Sequence, residues 1–93
     1  MLFARKLIRE ILINNNLEIM DVFEYGENII EFMVRHDSGI ISISLVYDLS
    51  YDFMLFNKDG DKILYSHTEK LSSANELKEL INQDINKISA ERF

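Results

Sequence analysis

Two histidines are the only side chains in this chain that ordinarily exchange a proton near neutral pH. His36 opens the run His36-Asp37-Ser38-Gly39, and His67 stands two residues before Glu69. A histidine working as general acid or base needs an orienting partner and a substrate pocket beside it. Neither setting promises a pocket, and both histidines read as surface turn residues. Glu24 and Glu31 could stand on neighbouring strands as a paired-carboxylate glycosidase site does, but so short a chain leaves little room for the cleft that chemistry needs. Asn57-Lys58-Asp59-Gly60-Asp61 has the look of a calcium loop without its length or its closing bidentate Glu, and a hairpin turn accounts for it better. The chain has no Cys, which removes thiol nucleophiles, disulfides and zinc–thiolate sites. No phosphate loop, dinucleotide fingerprint or nucleophile elbow is present. The sequence thus offers no catalytic residue, no metal site and no cofactor, and the expectation is a protein that is not an enzyme.

What remains is binding. The 93 residues, 47% apolar with six Phe and four Tyr, suffice for one domain, residues 1–93, with one core. The net charge of −6 is unevenly spread. Residues 1–17 hold three basic side chains and one acidic, and residues 62–93 hold five of each. Residues 18–61 hold ten acidic and two basic, so the whole negative excess lies mid-chain. Such a field repels nucleic acid and membrane surfaces and attracts basic partners. No apolar run approaches the roughly 18 residues of a membrane span, and Arg9-Glu10 interrupts what would be the apolar core of a signal peptide. A cytoplasmic protein is expected.

The elements that would carry a binding surface follow from periodicity. Leu2, Phe3, Leu7, Ile8, Ile11 and Leu12 recur at helical spacing, predicting a helix over 2–13 that the Asn14–Asn16 run closes. Alternation predicts strands over 17–25, 28–35, 40–47, 51–57 and 62–66. Gly26-Glu27 would form a two-residue hairpin turn. A second helix would start at Ser73-Ala74-Asn75-Glu76, a capping-box pattern, and bury the stripe Leu77, Leu80, Ile81, Ile85 and Ile88. Short connections imply an antiparallel meander. The expected fold is α+β: a five-stranded antiparallel meander with N- and C-terminal helices on one face, in the order α-β-β-β-β-β-α.

Helices on one face leave the other open. Alternation gives that open face Glu18, Met20, Val22 and Glu24 from the first strand and Ile29, Glu31, Met33 and Arg35 from the second. It adds Ser42, Ser44 and Val46 from the third strand, Asp52, Met54 and Phe56 from the fourth, and Leu64 from the fifth. Leu17, Ile19, Phe23 and Tyr25 would then face the helices, with Asp21 out of pattern. Methionines among carboxylates suit an adaptable interaction surface. The expected partner-binding residues are Glu18, Met20, Asp21, Glu24, Glu31, Met33, Asp37, Asp48, Asp52, Met54 and Phe56. Local pairing of these carboxylates is not expected, since only Arg35 and Lys58 are basic between residues 18 and 61.

The segments Leu7-Ile8-Arg9-Glu10-Ile11, Phe32-Met33-Val34-Arg35-His36-Asp37-Ser38-Gly39 and Ile41-Ser42-Ile43-Ser44 resemble parts of a family of small phage-encoded anti-CRISPR proteins that inhibit the type II RNA-guided nuclease. The resemblance spans roughly residues 7–44. It implies a protein that places carboxylates in the cleft where the nuclease grips duplex DNA, and by position it assigns such a role to Asp37. Beyond residue 44 the chain departs from the family, adding two strands where the family turns to helices. The resulting expectation is a small acidic protein-binding module, a phage-type inhibitor that occupies a basic nucleic-acid-binding surface as a DNA mimic. Its partner would be a basic protein such as a CRISPR nuclease, and it would bind no nucleic acid or membrane itself. The alternative is a structural or chaperone-like module that forms a homodimer or holds a peptide through the Met-rich sheet face.

Overall fold

The computed structural model describes residues 2–91, without the side chain of Leu2. Helix α1 (Leu2–Asn14) leads into strands β1 (Glu18–Tyr25), β2 (Ile29–His36), β3 (Gly39–Val46), β4 (Ser50–Phe56) and β5 (Ile63–Lys70). A single turn of 3₁₀ helix, Ala74–Glu76, then enters helix α2 (Leu77–Ala90). The strands form one antiparallel sheet in the order β1-β2-β3-β4-β5, so the architecture is the expected α-β5-α meander.

Both helices lie on the same side of the sheet and close one core. Ile8, Ile11 and Leu12 of α1 and Leu77, Ile81, Ile85 and Ile88 of α2 meet the inward residues of the three central strands. Those are Ile30, Phe32 and Val34 of β2, Ile41, Ile43 and Leu45 of β3, and Tyr51, Phe53 and Leu55 of β4, all essentially without solvent contact. Strict alternation along β2, β3 and β4 puts them there. The α1 stripe is narrower than expected, because Phe3 is exposed and Ala4 takes the buried position of that turn. Asn16, in the left-handed conformation at φ 59°, ends α1. Its N–H reaches the Ile13 carbonyl at 3.0 Å and the Leu17 N–H reaches Leu12 at 3.1 Å, the paired bonds of a Schellman cap.

Three local expectations change. The first hairpin turn has three residues, Gly26–Asn28, because Tyr25 pairs with Ile29. The fifth strand runs on to Lys70, which places His67 inside the sheet and not in a turn. The capping box does not close. The Ser73 side chain makes no cap bond, while Glu76 Oε1 accepts from the Ser72 N–H at 3.2 Å, one residue earlier than the motif requires. The residues of the box form the 3₁₀ turn, and α2 begins after it.

Candidate binding face and buried polar cluster

The pairing register assigns the open face row by row, since residues directly opposite one another point the same way. One row runs Glu18, Arg35, Ile40, Phe56, Ile63. The next runs Asp21, Met33, Ser42, Met54, Ser66. A third runs Phe23, Glu31, Ser44, Asp52, Thr68, and Tyr25, Ile29 and Val46 complete the face.

From β2 to β4 these are the expected residues: Glu31, Met33, Asp52, Met54 and Phe56 share the face turned away from the helices. On β1 they are not. Val34 pairs with Ile19 and Met33 with Asp21, so Met20 is an extra residue, a β-bulge. One extra residue inverts the alternation beyond it. Phe23 and Tyr25 therefore lie on the open face, where their rings stack with centroids 6.4 Å apart, and Tyr25 is 53% exposed. Val22 turns inward against the core. Glu24 also points to the helix side, where its Oε1 lies 3.3 Å from Arg5 Nη1 of α1. A second bulge, at Leu64 of β5, sends Leu64 to the core and leaves Ile63 53% exposed on the open face.

Local pairing is also more extensive than expected: Arg35 finds a partner within the acidic segment, and two more cations arrive from outside it. Arg5 pairs with Glu24, Arg35 with Glu18 at 2.8 Å, and Lys70 with Asp48 at 3.6 Å. Asp48 sits in the β3–β4 turn, where bonds from Ser50, aided by Lys70, hold its carboxyl below the ordinary range. Asp37 occupies the β2–β3 turn, exposed, and lines a cleft with Arg35, Ile40 and Lys58. Among the described residues no Lys or Arg pairs with Asp21, Glu31 or Asp52. Asp52 accepts the Thr68 hydroxyl at 2.7 Å, and Asp21 caps the Val22 N–H at 2.8 Å.

The helix side holds a polar cluster that spacing alone did not reveal. Asp84 of α2 is only 3% exposed. Its Oδ2 accepts from the Tyr51 hydroxyl and its Oδ1 from the Tyr65 hydroxyl, each at 2.6 Å. His67 Nδ1 lies 2.9 Å from both oxygens, and its Nε2 lies 3.4 Å from Glu69 Oε1. With Asp84 accepting, Nδ1 carries the proton. The bond to Asp84 raises the His67 pKa above its ordinary 6.5, against the opposing effect of burial. Burial and the bond to Asp84 push both tyrosines well above their ordinary value. The stripe of α2 carried one signal: Asp84 takes the i+7 place in the series Leu77, Leu80, Ile81, Ile85, Ile88, where a carboxylate must find donors on the facing sheet.

His36 lies at the end of β2 and lines an open cleft of about 380 Å³ with Asn16, Arg35, Asp37 and Ser89. Its Nδ1 accepts from the Ser38 N–H at 3.1 Å, and Nε2 stands 3.5 Å from the Ser89 hydroxyl. These contacts tie the end of β2 to the β2–β3 turn and to α2. Among the described residues no three His, Asp or Glu side chains are placed to hold a metal ion, and no helix is long and apolar enough to cross a membrane. Comparison with protein-family models, with curated proteins and with solved structures found no match to this chain.

Proposed function

We propose that this chain is a small acidic protein-binding module that engages its partner with the open face of its sheet. One observation carries the reading. Phe23, Tyr25, Ile29 and Val46 towards one end of the open face and Met33, Ile40, Met54, Phe56 and Ile63 towards the other are apolar, Asp21, Glu31 and Asp52 stand among them, and among the described residues none of these three carboxylates pairs with a Lys or Arg. An apolar patch studded with one sign of charge is the mark of an interaction site, and here it asks for a partner that is both apolar and basic. Binding, rather than catalysis, fits the buried cluster too: Asp84 is fully occupied by donors from its own sheet. The inhibitor of a nucleic-acid-binding enzyme is the narrower form of this reading, with the basic partner being the enzyme's phosphate-gripping channel. Its support is the resemblance over residues 7–44 together with the exposed Asp37 turn.

A homodimer through the same face is the competing arrangement. Such a dimer would bury Glu31 and Asp52 of both copies, a cost that Arg35, a cation on the open face of each copy, could offset only where it reaches them. The deciding experiment places a photocrosslinking residue at Met54 on the open face and at Lys78 on the exposed side of α2, in lysate of the cells that make the protein. A basic partner trapped at position 54 and absent at position 78 is the expected result. Equal labelling at both positions would sink the proposal, and a crosslink joining two copies would replace it with the dimer.

A further inference from the structure

The open face has a relief that follows from its side-chain sizes. Its middle strand, β3, presents Ile40, Ser42, Ser44 and Val46. On one side β2 presents Met33, Glu31 and Ile29, and on the other β4 presents Phe56, Met54 and Asp52. Two serines therefore floor a trough between longer side chains. Its walls stand two strand spacings apart, about 9.6 Å. The stretch from Ile40 to Val46 is about 20 Å long. Near the Ile40 end, Met33, Ile40, Phe56 and Gly60 surround an apolar depression of about 230 Å³. At the Ser44 end the walls are charged, with Glu31 and Asp52 facing each other across Ser44 in one row.

We propose that this trough receives an amphipathic helix of a partner protein whose narrow apolar ridge is flanked on both sides by Lys or Arg. This rests on the open face being the binding surface and names what it binds. The dimensions suit a helix: small residues on the floor admit a ridge of side chains, and about 13 residues at 1.5 Å each cover the trough. Charge selects the helix. Glu31 and Asp52 stand on opposite walls, so a single ridge passing between them is met by a carboxylate on each side, and Lys or Arg flanking the ridge pairs with both. The far end differs, since Arg35 stands opposite Ile40 and shares the cleft beside it with Lys58 and Asp37. The basic flank of the helix therefore lies over Ser44, and an apolar anchor fills the depression by Ile40. These two points are about 13 Å apart, about nine helical residues. A second copy of this chain brings Arg35 but more carboxylates than cations, and a nucleic acid brings phosphates, so each suits the trough less well than a helix flanked by Lys or Arg.

The test uses the full chain and two labelled 16-residue peptides of identical composition. One carries a Leu ridge flanked by Lys; the other scatters the same residues around the helix. In anisotropy titrations at low salt the ridged peptide should bind at least tenfold tighter. Ser42→Phe with Ser44→Phe, which fills the trough from its half-exposed floor, should erase that difference. Glu31→Lys with Asp52→Lys should weaken the ridged peptide tenfold or more and favour a version flanked by Glu. Melting curves establish that each variant is folded, and the wall reversal, at two surface positions, serves if the filled trough is not. Equal binding of the two peptides, or unchanged binding after the wall reversal, overturns the proposal. If the peptides fail while Met54 still traps a basic partner, the helix is wrong and the binding face stands; if both fail, both fall. A dimer in sedimentation that Met54→Glu disperses would give the trough to a second copy instead.

Discussion

The Tyr51 hydroxyl donates to Asp84 Oδ2 across 2.6 Å, joining the middle of the sheet to the middle of α2 inside the core. Neither group touches water there, so each depends on the other. Replacing Tyr51 by Phe removes one donor to the carboxylate and should cost about 1.5–3 kcal/mol, the range for a hydrogen bond to a charged group. Asp84→Ala should cost more, because it strands the Tyr51 hydroxyl without an acceptor. Urea titration measures both, and a loss below about 0.5 kcal/mol for Asp84→Ala would show that the cluster does not fasten the helix.

Stability should depend on pH through His67. It is faced by Asp84 and Glu69, with the Tyr51 and Tyr65 hydroxyls on the same carboxylate. Its folded pKa is raised above 6.5, so its contribution is complete below that value and fades as pH climbs through the higher folded value. The melting temperature of the wild type should therefore fall relative to that of His67→Gln as pH rises from about 6.5. Melting curves for the two proteins that stay parallel over the whole range would rule this linkage out.

The bulge makes a prediction about deletion. Without Met20, Asp21 would follow Ile19 directly, inward and outward positions would alternate without a break, and every pair from Asp21–Met33 to Tyr25–Ile29 could persist. Removing Met20 should leave the protein folded, with Phe23 still opposite Glu31. Deleting Val22 instead would put Asp21 where the core needs an apolar side chain, and should unfold it. Cross-strand proton contacts between Phe23 and Glu31 in the Met20 deletion are the check, and their loss would contradict this register.

Glu24 and Glu31 should behave differently although both stand in the acidic segment. Glu31→Gln removes a carboxylate from the proposed binding face and should weaken a basic partner several-fold at low salt. Glu24→Gln, on the helix side beside Arg5, should leave that affinity unchanged. The Glu31 effect should shrink in half-molar salt, where the screening length is only a few ångströms. Equal losses from the two substitutions would mean that overall charge, and not the face, governs binding.

Much of the fold was legible because β2, β3 and β4 keep a regular period. Their apolar residues alternate without interruption, so inward Phe32, Ile43 and Phe53 and outward Glu31, Ser44 and Asp52 could be sorted by parity alone. Parity fails wherever one residue is extra. The pattern Glu18-Ile19-Met20-Asp21 contains no Gly or Pro to betray the bulge, and the misreading of Phe23, Glu24 and Tyr25 followed from that one position. Asp84 was missed for a different reason. Its place on the stripe was visible, but its donors come from β4 and β5, and His67 had been placed in a turn when the fifth strand was expected to end at Ser66. The pairing of Glu24 and Asp48 was missed because their cations, Arg5 and Lys70, lie outside the acidic segment.

Both bulges fall on edge strands, Met20 on β1 and Leu64 on β5. A regular edge is a template on which another copy can lay down a strand, and an apolar sheet face stacks readily once such a ribbon starts to grow. Here each outer strand is bent out of register with the neighbour that a growing ribbon would require. Each irregularity thus makes its edge a poorer template for a further strand, and an exposed apolar face is less of an aggregation hazard when the edges beside it resist extension.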